Sequence, residues 1–186
     1  MTDGATETDQ LAQFVATTCR VQSLPYAWPG PPDAESARRD GRGTCASKHA
    51  LLAEELAALG LTSVPVVVVG PLVPAIWPDL LAEGAGLMEV HEYLAVGTPW
   101  SGPLQVDVTW PPAAVRAGLS GIGPDWDGRS DTPCAVGPVV ASYAVPPGQL
   151  RTWKEALRAR ITTPAELELR ARLLGEMARR ASQLTD

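Results

Sequence analysis

A glycine turn that leads directly into a helix-starting signal is the feature that most constrains this chain. It spans residues 41–52, Gly-Arg-Gly-Thr-Cys-Ala-Ser-Lys-His-Ala-Leu-Leu. Thr44 is a favourable N-cap, because its hydroxyl can accept a hydrogen bond from a backbone N–H two or three residues later. Leucines at helical spacing follow, and Gly60 is a natural helix stop. The pattern predicts a helix from Cys45 to Leu59 with the cysteine in its first turn.

The position of Cys45 gives its thiol an unusual chemical environment. Unpaired backbone N–H groups and the positive end of the helix dipole converge at a helix N-terminus. This environment favours the thiolate, which is the nucleophilic form of cysteine. The same N–H groups can stabilise an oxyanion that forms on a carbonyl under attack. Cys45 is therefore a candidate nucleophile for acyl chemistry. The alternative is a small buried residue beneath a glycine turn, since free cysteine is often buried.

The other elements predicted from the sequence indicate a single α+β domain over residues 1–186. Residues 1–7 are polar and expected to fray, and the four prolines within residues 24–32 exclude regular helix there. Spacing and capping patterns predict further helices over 8–20, 33–39, part of 71–86, around 113–117, and within 150–186. Apolar runs between turn signals predict strands over 64–69, 88–96, 104–110 and 139–145.

Charge and cysteine usage exclude several classes of protein. The net charge is -6 and there is no basic stripe, so a nucleic-acid partner is not expected. No apolar run is long enough for a membrane span, and the first thirty residues lack a signal core. The three cysteines, Cys19, Cys45 and Cys134, are widely spaced, without a CxxC pair or a zinc-ligand spacing. These features predict a cytoplasmic protein without a metal or cofactor. Cys19 lies on the apolar face of the first predicted helix and is expected in the protein core.

The two strands predicted over 88–96 and 104–110 place a histidine opposite a carboxylate. If they form a hairpin in which Val96 pairs with Gly102, His91 lies directly opposite Asp107, with the Cβ atoms roughly 5 Å apart. Asp107 is flanked by valines and is not expected to remain unpaired. Each residue alone has an ordinary explanation, His91 as a strand histidine and Asp107 as a rim carboxylate. Together with Cys45 they predict a Cys-His-Asp triad.

Three neighbouring polar residues have weaker cases for a role in catalysis. His49 follows Cys45 by one helical turn, which carries it away from the helix N-terminus, so a packing or supporting role is favoured over that of the base. Lys48 and Glu92 are expected at the surface. A metal site that combines Cys45, His49 and His91 matches no standard zinc spacing.

The order of these motifs resembles the transglutaminase-like superfamily, a branch of the papain-like cysteine fold. The matching segments are Gly-Thr-Cys-Ala-Ser-Lys-His at 43–49, Val-His-Glu-Tyr at 90–93 and Val-Asp-Val-Thr-Trp at 106–110. The resemblance implies a nucleophile helix packed against an antiparallel β-sheet and flanked by N- and C-terminal helices. It implies Cys45 as nucleophile, His91 as general acid and base, and Asp107 as the orienting carboxylate.

The resemblance also bears on the oxyanion site and on the substrate. The Cys45 N–H would be one oxyanion donor, and the second would come from upstream, where Gln22 and Trp28 lie. The acidic clusters and extra β-domains of animal transglutaminases are absent, so protein crosslinking is not implied.

The leading hypothesis for function is a thiol enzyme that acts on an amide or a thioester. It would hydrolyse the acyl group of a small-molecule, peptide or carrier-bound substrate, or transfer it to an amine. The loops over 70–86 and 111–137 would shape the pocket. The alternatives are a cyclisation or isomerisation on the same scaffold and a non-catalytic binding module.

Overall fold

The computed structural model describes residues 6–145 and 148–184, in which helices and strands combine into an α+β fold. This confirms the α+β class. The elements of this described part are α1 Glu7–Gln22, α2 Ala34–Asp40, α3 Cys45–Ala58, β1 Thr62–Pro71, α4 Pro78–Glu83, β2 Met88–Thr98, β3 Gly102–Val106, α5 Pro112–Arg116, β4 Ala141–Ala144, α6 Leu150–Ile161 and α7 Pro164–Ala181.

The strands form an antiparallel sheet in the order β3-β2-β1-β4. Strand β1 contains four consecutive valines at 66–69, and β-branched residues of this kind favour extended backbone. In β2, residues 89–92 are all buried, whereas burial alternates from Tyr93 onward. Both faces of β2 are therefore covered at the segment that contains His91.

The start of α3 has the cap that the sequence predicts. The Thr44 hydroxyl accepts a hydrogen bond from the Ser47 backbone N–H at 3.2 Å, and the Ser47 hydroxyl lies 2.9 Å from the Thr44 backbone N–H. Gly60, just past the other end of the helix, has a φ of 76°, a left-handed conformation that costs glycine little. These two ends fix Cys45 as the first residue of the helix.

The predicted register of the β2–β3 hairpin is wrong by two residues. Val96 pairs with Leu104, and Thr98 pairs with Gly102, which leaves a turn of three residues at 99–101. The Thr98 hydroxyl donates to the Gly102 carbonyl at 2.8 Å and closes this turn. Strand β3 then ends at Val106, because the Asp107 carboxylate accepts from a backbone N–H two residues ahead and bends the chain.

Three smaller expectations also need correction. Thr6 caps α1 through a capping box with Asp9, so residues 6 and 7 are ordered, while residues 1–5 of the segment expected to fray lie outside the described residues. The last strand is shorter than predicted and spans only Ala141–Ala144. Cys19 is half-buried instead of lying in the core.

Three apolar clusters hold the helices in place. The largest packs α1 and α3 against β2 and β3, through residues such as Phe14, Leu52 and Val106. A second packs α6 against β1 and β2. The third packs α7 against the segments that follow β1 and β3, and it includes the aromatic rings of Tyr26 and Trp110. Within the described residues, none of the helices combines the length and apolarity needed to cross a membrane.

A candidate thiol site at the start of the third helix

The loop before α2 is fastened to the turn that delivers Cys45. The Ala27 backbone N–H donates to the Gly43 carbonyl at 2.9 Å, and the Gly43 N–H donates to the Pro25 carbonyl at 3.0 Å. A Cβ atom on Gly43 would lie 2.8 Å from both the Ser47 hydroxyl oxygen and Lys48 Cγ, so only glycine fits this close approach. The turn therefore holds the half-buried Cys45 in one position beside the loop.

The structure brings the three predicted triad residues together. His91 Nε2 lies 2.7 Å from Asp107 Oδ2, and both side chains are buried. Cys45 also acts on the His91 ring, because its side chain helps to raise the pKa of the imidazole. Since Asp107 occupies Nε2, Nδ1 is the nitrogen left for the thiol. Asp107 reaches His91 from just beyond β3, although it is not directly opposite His91 in the sheet.

The Asp107 carboxylate is fully engaged by hydrogen-bond donors. Oδ2 accepts from the Ala135 backbone N–H at 2.8 Å in addition to His91, and Oδ1 accepts from the Thr109 N–H at 3.0 Å and the Thr109 hydroxyl at 2.6 Å. The Asp107 N–H in turn donates to the Thr132 hydroxyl at 2.8 Å. The irregular segment over 132–135 is therefore tied to this carboxylate, which has little freedom to rotate.

These contacts shift the titration of both partners. Burial alone would raise the pKa of Asp107, but the charge and the hydrogen bond of His91 outweigh it and hold this pKa well below the usual range. Burial alone would lower the pKa of His91, but the charge and hydrogen bond of Asp107, aided by Cys45, raise it well above the ordinary value. The pair is therefore set up as a carboxylate and an imidazolium.

His49 supports this pair from the side of the helix. Its Nε2 accepts from the Val108 backbone N–H at 3.1 Å and lies 3.5 Å from Asp107 Oδ1. Its Nδ1 is buried without a hydrogen-bond partner. These contacts agree with the packing role favoured for His49, which stays a prediction.

Lys48 was expected at the surface, but it is fully buried. Its Nζ donates to the carbonyls of Gln22 and Leu24, each at 2.9 Å, and of Thr109 at 3.0 Å. Burial lowers the Lys48 pKa to about 7. Helical spacing offered a signal for this position, because Lys48 extends the apolar stripe of α3 back by one turn from Leu51 and Leu52.

Glu92 was also expected at the surface and is buried too. It accepts from Lys154 Nζ of α6 at 2.7 Å. The alternation of β2 offered the signal here, since Glu92 shares strand parity with the buried Val90 and Leu94. The C-terminal helices likewise contribute buried charge to this region, through Lys154 and Arg170.

The two residues considered as second oxyanion donors lie near the site with other contacts. The Gln22 amide is buried and donates to the Ile122 carbonyl at 2.9 Å. The Trp28 ring is half-buried with the Arg170 guanidinium 4.9 Å from its centre. Their role in catalysis stays a prediction.

Cys134 is a residue of the site that the sequence did not reveal. One ligand atom each of His91, Asp107 and Cys134 lie within 4.8 Å of one another, a grouping that could hold a metal ion. The carboxylate oxygen nearest His91 already accepts two hydrogen bonds, however, so a metal would have to displace them. The segment around Cys134 has no periodicity, and contacts with Asp107, Gln105 and Pro71 place it here.

The two cavities described lie away from the thiol. The larger, of about 410 Å³, is lined by residues of the loop before α2, the start of α5 and the end of α7, among them Tyr26, Pro112 and Ala181. The smaller, of about 130 Å³, is lined by Cys19, Gln22 and neighbouring residues. Neither is lined by Cys45, His91 or Asp107.

In comparisons with known proteins, no family model, no curated protein and no solved structure matches this chain.

Proposed function

We propose that this protein is a thiol enzyme that opens amide or thioester bonds through a Cys45-His91-Asp107 triad, on the pattern of the transglutaminase-like proteins that its motifs resemble. One observation carries the proposal. The buried His91 ring is held at Nε2 by the Asp107 carboxylate, while Cys45 at the start of α3 acts on the same ring and helps to raise its pKa. A histidine oriented by a carboxylate and adjacent to a thiol is what covalent acyl transfer requires.

The arrangement supports a two-step reaction. The proton of Cys45 first passes to His91, which gives a thiolate beside an imidazolium, and the thiolate Sγ then forms a bond to the substrate carbonyl carbon. The bond to the leaving amine or thiol breaks, and His91 gives that group the proton. Water or an amine then attacks the acyl-enzyme, His91 takes its proton, and the Cys45 sulfur leaves as the thiolate, which restores the starting pair. The backbone N–H groups at the start of α3 would stabilise the oxyanion in both steps.

Alkylation with iodoacetamide, located by peptide mass spectrometry, tests the pair. Between about pH 6 and 7 an ordinary thiol, with a pKa of about 8.5, is almost entirely protonated and reacts slowly. We expect Cys45 to react quickly in this range and His91→Ala to abolish the advantage. Cys19 of α1 is the internal control in the same molecule. If Cys45 reacts no faster than Cys19, the proposal is wrong.

Trapping of the acyl-enzyme tests the reaction itself. Intact-mass spectrometry after addition of a simple acyl thioester should detect one acyl group on Cys45, with none on Cys45→Ser. If Cys45 alkylates rapidly but neither thioesters nor amides acylate it, cyclisation or isomerisation on the same residues becomes the better hypothesis. A folded protein with an inert Cys45 would instead indicate a binding module.

A further inference from the structure

Two buried ion pairs lie beside the thiol site, between β2 and the C-terminal helices. Lys154 of α6 donates to Glu92 at 2.7 Å. Arg170 of α7 binds Glu89 through two hydrogen bonds, one of them from Nη2 to Oε1 at 2.7 Å. In both pairs the cation has a carboxylate within hydrogen-bonding distance, so the charges of the four side chains are locally balanced.

Arg158 of α6 is a cation of this region whose hydrogen-bonding capacity is only partly used. Its Nη2 lies 3.8 Å from Glu89 Oε1, an oxygen already bound by Arg170, and makes a long hydrogen bond of 3.4 Å to the Val90 carbonyl. Its Nε is buried without a hydrogen-bond partner. Burial and the like charge of Arg170 lower the pKa of Arg158. An additional anion would relieve both effects.

The carboxylates near Arg158 are shared with other cations. Glu89 already accepts two hydrogen bonds from Arg170. Glu155, the other carboxylate that acts on Arg158, is exposed and accepts a hydrogen bond from Arg151 at 2.9 Å. Arg158 therefore has no carboxylate to itself among the described residues.

Arg158 lies close to the reacting groups and remains accessible. The charge of Cys45 acts on the Arg158 guanidinium, which donates to the carbonyl of Val90, the residue before His91. Arg170, which binds the same Glu89 carboxylate, lies over the Trp28 ring. The loop that contains Trp28 is hydrogen-bonded to the turn before Cys45. About 21% of the Arg158 side chain is exposed, so solvent reaches it. A ligand could thus meet the guanidinium and the thiol together.

We propose that Arg158 binds an oxyanion group of the substrate, a carboxylate or a phosphate, while the substrate carbonyl lies at Cys45. The planar guanidinium fork suits such groups, because it can donate two parallel hydrogen bonds to them. The inference deepens the proposed function and rests on it, since it needs Cys45 to be the reacting group. It narrows the substrate to acyl compounds that carry a negative charge near the reacting carbonyl.

Matched alkylating reagents test this directly, without a known substrate. The rate of Cys45 modification by iodoacetate is compared with that by iodoacetamide, and 3-bromopropionate with 3-bromopropionamide, each relative to its rate with 2-mercaptoethanol. We expect at least one acid to be favoured over its amide by about tenfold or more, the factor for a hydrogen bond between charged groups. Arg158→Met should remove this preference. Arg160→Met, an exposed arginine of the same helix, is the control and should keep it.

The outcomes separate this inference from the proposed function. If Cys45 reacts readily but neither acid is favoured in the wild type, or if Arg158→Met keeps the preference, the assignment of Arg158 is wrong while the thiol chemistry stands. If no reagent modifies Cys45 in the folded protein, the proposed function fails and this inference fails with it. If Arg158→Met does not fold, the wild-type rates with the acid and amide reagents still test the assignment of Arg158. Protection of Cys45 by succinate or by inorganic phosphate, tested separately, identifies the preferred oxyanion.

Discussion

Replacement of Asp107 by asparagine should damage the fold and the thiol chemistry together. The carboxylate accepts hydrogen bonds on both oxygens, from His91 and Ala135 on one side and from Thr109 on the other. An asparagine side chain has only one oxygen, so its NH₂ group must face donors on one side. In either orientation at least one buried backbone N–H, that of Ala135 or of Thr109, loses its acceptor.

The size of the effect follows from these contacts. A buried polar group without a partner costs about 1–3 kcal/mol, and a hydrogen bond to a charged group contributes about 1.5–3 kcal/mol. Loss of one backbone acceptor and of the charged contact with His91 should together cost about 3–5 kcal/mol. If the NH₂ group faces His91, it donates to Nε2, so the ring proton moves to Nδ1. His91 then cannot accept the proton of Cys45.

Urea denaturation and iodoacetamide alkylation measure the two effects on the same samples. Asp131→Asn is a matched control, because Asp131 is exposed and accepts one hydrogen bond, from the Gln105 N–H at 2.8 Å, which an amide oxygen can also accept. The control should cost less than about 1 kcal/mol. If Asp107→Asn is as stable as the wild type, or keeps rapid alkylation of Cys45, the described role of the carboxylate is wrong.

The difference in stability between the wild type and Asp107→Asn should depend on pH, and the pKa of Asp107 gives the direction. The pKa of Asp107 is lower in the folded protein than in the unfolded chain, where an aspartate has a pKa of about 3.9. The unfolded state therefore binds more protons as the pH falls below about 4, and the contribution of the carboxylate is lost there. The stability difference between wild type and Asp107→Asn should be full near about pH 5 and shrink below about pH 4.

Three further predictions use the neighbours of the triad. Lys48→Met should cost about 3 kcal/mol or more in urea denaturation, because three carbonyls lose a donor. Since burial lowers the Lys48 pKa to about 7, against 10.5 for free lysine, the advantage of the wild type should grow between these pH values. Thr44→Ala and Thr163→Ala each remove a cap and should cost about 1 kcal/mol, but only the first should slow Cys45 alkylation. Lys154→Met should cost about 3–5 kcal/mol, because it leaves Glu92 buried and unpaired, and adding Glu92→Leu should restore most of it.

Local signals in the sequence were sufficient to place the thiol. The cap at Thr44, the glycine turn before it and the leucine stripe after it are interactions within a few residues, and the structure confirms the helix that they predict. The requirement that Asp107 be paired also held, because a buried carboxylate between two valines needs a partner in almost any fold.

The contacts that depend on side-chain detail could not be predicted in this way. The hairpin register differs from the prediction because the Thr98 hydroxyl closes a turn that is two residues shorter than composition suggested. Asp107 ends β3 through its own carboxylate, so the strand pattern that continues to Trp110 was misleading. Cys134 and Ala135 belong to an irregular segment. The Ala135 N–H binds Asp107, which lies 28 positions earlier in the chain, and no local sequence pattern records such a contact.

The concentration of buried charge around Cys45 argues for chemistry at this site rather than for stability alone. The buried charged side chains of the described residues, together with both histidines, belong to this region: Lys48, His49, Glu89, His91, Glu92, Asp107, Lys154 and Arg170. Removing charges from water is costly, and replacing a buried ion pair by apolar residues is often neutral or stabilising. Packing therefore does not explain why they are here. The proposed reaction, in which a thiol loses a proton and a carbonyl oxygen gains negative charge, would give these charges a role, because fixed charges and dipoles in a buried site stabilise such changes without rearrangement.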